Sequence, residues 1–183
     1  VEQRYAENLW VNNPWFIAYE NTNAFQSNRN ISNINIDYQI NDYANLRFRY
    51  GVDYVDEQRQ YKRAPSTKGV LNGSYREDEI SFRESNAEWL LSLNPTPNES
   101  NLIDVDLKVG GNLMSQQANF SVANNPELQN FGTDPSVYTL SNARSGVLVE
   151  SQKTNAKLNS VFGLLSLDYD NKVYLDLTYR NDW

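Results

Sequence analysis

The chain has 183 residues, of which 16 are basic and 23 acidic, for a formal charge of -7. That length admits one all-β domain, and the acidic balance argues against a nucleic-acid partner, whose phosphates need a clustered basic surface. With no cysteine and no histidine, the chain has no disulfide, Cys/His zinc site, thiol nucleophile or His-based triad.

Hydrophobic residues make up 39% of the chain and the mean hydropathy is -0.69, which on its own describes a polar, soluble protein. The aromatic content of 13%, with twelve tyrosines and four tryptophans, points the other way. Such amphipathic rings gather where one end is dry and the other wet. Membrane β-barrels combine both traits, because half of each strand faces a polar lumen and aromatic girdles sit at the two interfaces. The sequence contains no run of about 18 apolar residues, the length a transmembrane helix needs. The opening "VEQRYAENLW" lacks the basic start and apolar stretch of a secretory signal, so an exported protein would have a longer precursor.

The first expected strand runs through "NISNINIDYQI". Ile34, Ile36, Tyr38 and Ile40 share one face, and Asn33, Asn35, Asp37 and Gln39 the other. After a short turn at "NDY" the parity returns, with Leu46, Phe48, Tyr50, Val52 and Tyr54 set against Asn45, Arg47, Arg49 and Asp53. The pair predicts an antiparallel hairpin. From 57 to 79 the period dissolves, and a long loop is expected there.

Alternation resumes at 82–94, where Ala87, Trp89, Leu91 and Leu93 oppose Asn86, Glu88 and Ser92. A break with two prolines, "NPTPNESN", follows. The cleanest stripe comes next, with Ile103, Val105, Leu107 and Val109 on one face and Asp104, Asp106 and Lys108 on the other. Residues 115–150 read as a second long loop, with a short extended piece at "VYTL". In the last hairpin, joined by "DNK", Val161, Leu165, Leu167 and Tyr169 share one face of the first strand, and Val173, Leu175, Leu177 and Tyr179 share one face of the second, opposite Asp176, Thr178 and Arg180. Phe162 and Leu164 intrude on its polar side and are expected to pack there.

Connections thus run short, long, short, long, short across about six strands. Up-and-down threading through an outer membrane gives this rhythm, with short periplasmic turns and long external loops. The runs 31–40, 45–55 and 102–113 also meet the roughly 9 to 11 residues that a membrane-spanning strand needs. The fold class expected is all-β: an antiparallel up-and-down meander of about six strands, part of a large transmembrane barrel. A soluble sandwich with the same stripes facing a second sheet is the alternative.

Several stretches, in order, resemble the SusC/RagA-type TonB-dependent transporters of the outer membrane of Bacteroidetes-like bacteria. They are "NPWFIAYENTN" at 13–23, "YGVDY" at 50–54, "FRESNAEWLLSLN" at 82–94, "VGGN" at 109–112, "YTLSNAR" at 138–144 and "LDYDNKVYLDLTYRNDW" at 167–183. The resemblance implies a plugged barrel of about 22 strands, working with a SusD-like lipoprotein and driven by TonB to import glycans, oligosaccharides or peptides. Because even the smallest bacterial barrels have about 8 strands, residues 1–183 are expected to be one segment of that barrel, without plug or TonB box.

On this reading Ile34, Ile36, Tyr38, Leu46, Phe48, Tyr50, Ile103, Val105, Leu107, Val109, Val173, Leu175 and Leu177 face lipid. Tyr38, Tyr43, Tyr54, Trp89, Tyr169, Tyr174 and Trp183 lie near strand ends, where girdle residues belong. Positions 66 and 125 are expected outside the cell. Substrate contacts, if any, would come from Tyr61, Tyr75, Phe131 and Tyr138 in the long loops.

Catalytic and metal readings are weaker. Asp104 and Asp106 share a strand face, and "REDE" at 76–79 bunches carboxylates, but Lys108 and Arg76 continue the two stripes and predict mutual neutralisation. "KRAPSTKG" at 62–69 reads as a solvated basic loop rather than a polyanion site. Gly110 and Gly111 have no helix behind them and do not form a phosphate loop. No enzyme activity and no cofactor are expected. The runner-up function is a soluble carbohydrate- or ligand-binding module.

Overall fold

The computed structural model describes residues 11–95, 102–130 and 137–183. A short helix, α1 (Pro14–Glu20), precedes six strands: β1 (Asn23–Asn41), β2 (Ala44–Arg63), β3 (Ser74–Leu93), β4 (Ile103–Asn125), β5 (Leu148–Tyr169) and β6 (Val173–Asp182). They form one sheet in the order β1-β2-β3-β4-β5-β6, each strand hydrogen-bonded to the next in sequence. This is the expected meander. The strands do not divide into the two sheets that a sandwich requires. No helix among the described residues is long and apolar enough to cross a membrane, a test that does not bear on strands.

The strands run well beyond their alternating cores. β2 continues to Arg63 and β3 starts at Ser74, so the loop expected at 57–79 shrinks to residues 64–73. Similarly β4 reaches Asn125 and β5 starts at Leu148, which trims the loop expected at 115–150 to 126–147. "VYTL" is not extended, because Leu140 opens a short 3-10 turn, Leu140–Asn142. The physical reason is common to both loops. In stretches such as "EQRQ" both strand faces carry polar side chains, so the ladder persists while the period-2 signal vanishes.

The turns obey local chemistry. Between β1 and β2 the Asn41 side chain accepts a hydrogen bond from the Tyr43 amide at 2.9 Å, an Asx-type closure. Between β5 and β6, Asp170 and Asn171 adopt φ of 53° and 56°, the left-handed pair that a tight hairpin needs and that Asp and Asn tolerate. The Lys172 amide there donates to the Tyr169 carbonyl at 3.0 Å.

The chain divides into two compact units. The first comprises Val1–Arg29, Val55–Phe82 and Ala118–Thr154, and the second Asn30–Tyr54, Arg83–Gln117 and Asn155–Trp183. Every buried apolar side chain of the described residues, Phe16, Ala64, Tyr75, Val122 and Leu128, belongs to the first unit. It has a small dry core of its own.

The second unit has no such core. One face of its sheet is polar and internally paired: Arg47 meets Asp37 at 2.7 Å, Arg49 meets Glu88 at 2.7 Å, Lys108 meets Asp106 at 2.9 Å, and Arg180 meets Asp182 at 2.9 Å. On the opposite parity many apolar residues stay exposed, Ile36 at 55% and Leu175 at 49% among them, while Leu46, Val105, Leu107 and Val109 are half-buried. The β5–β6 register pairs Leu165 with Leu177 and Leu167 with Leu175, forming a continuous apolar stripe across the two strands.

Two glycines in β4 mark where rings cross this sheet. A β-carbon on Gly110 would lie 2.6 Å from the Phe162 ring, and one on Gly111 would lie 2.7 Å from the Trp89 indole nitrogen. Phe162 is opposite Arg180 in the register and so shares the polar face, as its intrusion into the stripe of β5 predicts. Trp89 covers the neighbouring glycine from the other side, since successive strand residues point to opposite faces.

Candidate functional site

The first unit holds a concave feature whose walls are set by the helix and the shortened first loop. Asn13 caps α1 by accepting from the Trp15 amide at 3.0 Å, and Pro14 takes the first helical turn, where its missing N–H costs nothing. Phe16 is buried and anchors the helix. The loop 64–73 is then tied to its flanks by side-chain amides. The Asn21 Oδ1 accepts from the Ala64 amide at 2.8 Å and the Thr67 hydroxyl at 3.2 Å, and the Asn12 Oδ1 accepts from the Lys68 amide at 2.7 Å.

The second loop is clamped by Asn142. Its side chain donates to the carbonyls of Asn130 at 2.7 Å and Val137 at 2.8 Å and accepts from the Asn130 amide at 3.0 Å. The Leu128 side chain is fully buried, and its amide donates to the Gly73 carbonyl at 3.2 Å. Gly73 is required there: its φ is +78°, and a β-carbon would come within 2.7 Å of the Arg63 carbonyl.

Between α1, the ends of β2 and β3 and the loop 64–73 lies a cavity of about 900 Å³. Four cationic residues, Lys62, Arg63, Lys68 and Arg76, contribute to its lining, and no carboxylate does among the described residues. Arg76 is fixed, because its guanidinium meets Asp78 at 2.6 Å and lies 5.4 Å from the Tyr61 ring centroid. Asp78 itself is buried. The Lys62 ammonium stands 5.7 Å from the Tyr138 ring centroid. Burial pushes the Tyr138 phenol above its ordinary value of 10.0, and the charge of Glu20 adds to the effect.

Of the aromatic residues expected to contact a solute, Tyr61 lines this cavity and Tyr138 is half-buried beside Lys62. Tyr75 is only 3% exposed, with its hydroxyl donating to Glu77, and Phe131 lies outside the described residues. Asn125, expected outside the cell, is a fully buried strand end whose amide donates to the Thr139 carbonyl at 3.1 Å. The expected neutralisation holds at Asp106–Lys108 and Asp78–Arg76. No group of three or more Asp or Glu placed to hold a metal occurs among the described residues.

The lining of the cavity escaped the sequence because it joins residues far apart in the chain. One signal was nonetheless available: "NPW", an asparagine cap followed by a proline at the first helical position.

No family model and no curated protein matches the chain. Solved structures do. The structure of the RagAB peptide transporter aligns with a TM-score of 0.75 at 19% identity, covering 92% of this chain and 18% of that one. The RagAB peptide importer in its "closed-closed" state aligns with a TM-score of 0.76, again at 19% identity, covering 93% of this chain and 19% of that one. The siderophore receptor PiuA from Acinetobacter baumannii follows with a TM-score of 0.53 at 13% identity, over 86% of this chain and 25% of that one. The chain therefore spans about a fifth of the length of the RagAB chains it matches. Likeness at these identities is likeness of fold, and it agrees with the resemblance in the sequence: the chain has the fold of the matching segments of the RagAB transporter and the PiuA receptor.

Proposed function

We propose that this chain is a barrel-wall segment of a TonB-dependent outer-membrane importer of glycans, oligosaccharides or peptides that acts with a SusD-like lipoprotein. The observation that carries the reading is the partition of apolar side chains. The dry core that exists lies in the first unit, which still exposes Trp15, Phe25 and Leu71, while the strands of the second pair their polar face internally and expose Ile34, Ile36, Phe48, Leu175 and Leu177 on the other. Lipid is the solvent that makes such a face stable, and a polar lumen suits the other face. On this reading Ile34, Ile36, Tyr38, Leu46, Phe48, Tyr50, Ile103, Val105, Leu107, Val109, Val173, Leu175 and Leu177 meet acyl chains, and the loops 64–73 and 126–147 lie outside the cell.

The wall itself does no chemistry. It encloses a path and presents groups to a solute, while movement of that solute is driven by TonB through the whole protein. The matched structures support peptide among the solutes, since two of them are a peptide transporter and a peptide importer. The test is fractionation of cells expressing the full-length protein, followed by affinity purification. Recovery from the outer membrane as a heat-modifiable band, together with a co-purifying lipoprotein, is the expected result. A freely soluble, monomeric product would overturn the reading.

A further inference from the structure

We propose that the cavity between α1 and the loop 64–73 binds the carboxylates of an acidic peptide, an assignment of solute class that rests on the importer reading above. Charge is the first argument. A chain of net charge -7 places Lys62, Arg63, Lys68 and Arg76 around one hollow of about 900 Å³. Clustered like charges in a concave, partly desolvated site raise the local concentration of the opposite ion.

The four cations are not equivalent. Arg76 is held by Asp78 and Lys62 leans on Tyr138. The side chains of Arg63 and Lys68 make no ion pair with any described residue and are available to a ligand. Arg63 offers the planar fork that matches a carboxylate, and Lys68 a compact point charge.

The rest of the lining selects among anions. Sugar rings are commonly held by stacking on an exposed aromatic face, but one face of the Tyr61 ring is taken up by the Arg76 guanidinium. The rest of the lining mixes apolar and hydroxyl residues with amides. Asn23 and Asn124 line the same hollow, and each side chain can both donate and accept, as a peptide backbone requires. The volume falls within the roughly 300–1,000 Å³ typical of ligand pockets, enough for a few residues of an extended peptide.

The experiment uses the full-length protein in detergent and three fluorescent probes: hexaglutamate, hexaglutamine and hexagalacturonate. The wild type should bind hexaglutamate about tenfold more tightly than hexaglutamine, with a preference that shrinks as salt rises. R63Q/K68Q should lose most of that preference and leave hexaglutamine binding unchanged, which also reports that the variant is folded. Equal binding of the two peptides by the wild type, or an unchanged preference in the variant, overturns the proposal. Tighter binding of hexagalacturonate than of hexaglutamate, abolished in the variant, overturns the assignment to peptide. Uptake of hexaglutamine by cells without any preference for hexaglutamate sinks the anion site alone, whereas a protein that neither binds nor imports any of the probes sinks both this site and the importer reading.

Discussion

Phe162 occupies the space above Gly110: a β-carbon there would stand 2.6 Å from the ring, and the backbone carbonyl of Trp89 would be only 2.8 Å away. The carbonyl cannot swing aside without breaking the sheet, so relief must come from the ring. Gly110→Ala is expected to destabilise the wall by about 1–3 kcal/mol, the usual range for overpacking. F162L in the same chain should recover only part of this. Heat-modifiability on gels, scored against urea concentration, measures both. A Gly110→Ala protein as stable as wild type would show that the ring is not packed where it stands.

Leu175 and Thr178 lie on opposite faces of β6. Leu175→Arg places a charge among the exposed apolar residues and should cost about 2–4 kcal/mol if that face meets the bilayer midplane. Thr178→Arg, beside Arg180 on the polar face, should assemble nearly normally. Yields of folded protein in the outer membrane provide the comparison, and equal yields would count against lipid on either face.

Asn142 joins two parts of the second loop through three hydrogen bonds. Asn142→Ala removes all three, and because the freed backbone groups are exposed or only part-buried and can turn to water, the cost is about 0.5–1.5 kcal/mol of local stability. The expected outcome is faster protease cleavage within 126–147 with unchanged cleavage elsewhere. Uniform protection would mean that the loop is held by other contacts.

Labelling from outside the cell separates the loop from the strand end. Cysteine at Ser66, which is exposed at φ 72°, should react with an impermeant maleimide, whereas cysteine at Asn125 should stay silent until the protein is unfolded. Reaction of position 66 only from the periplasm would invert the topology.

Tyr138 gives a pH signature. Its pKa is raised above 10.0, so the folded state holds the phenolic proton more tightly than the unfolded chain does. The sign follows: this contribution is fully present below pH 10 and is lost as pH climbs through the raised value. The difference in absorbance at alkaline pH between wild type and Y138F should therefore appear later than for an exposed tyrosine.

The six strands and their order were readable because the central stretch of each has one dry face. Ile34, Ile36, Tyr38 and Ile40 keep a strict period, and the structure puts them on one strand, β1. Strand length was not readable. Around Asp56–Gln60, and again around Ser115–Asn119, polar residues occupy both parities, so nothing in the side chains distinguishes a wet ladder from a loop. The basic loop "KRAPSTKG" was visible as composition only. Its meaning as one wall of a cavity depends on Asn12 and Asn21, 43 to 56 residues upstream of their partners, whose side-chain amides hold Ala64, Thr67 and Lys68 in place. Tyr75 shows the converse: an aromatic in an apparent loop suggested a contact surface, and burial made it part of the core.

The dry core confined to Phe16, Ala64, Tyr75, Val122 and Leu128 has a consequence for the order of assembly. A region with its own core can settle in water, while a sheet with an exposed apolar face presents a sticky surface that, on the importer reading proposed above, acyl chains cover. For such a chain the bilayer behaves as a ligand that binds only the ordered state, so its stabilisation enters the folding equilibrium as any ligand's would. Chaperones that escort the polypeptide to the membrane would then be protecting Ile36 and Leu175 rather than Tyr75 and Leu128, and the interval before insertion is when this sequence is most exposed to aggregation.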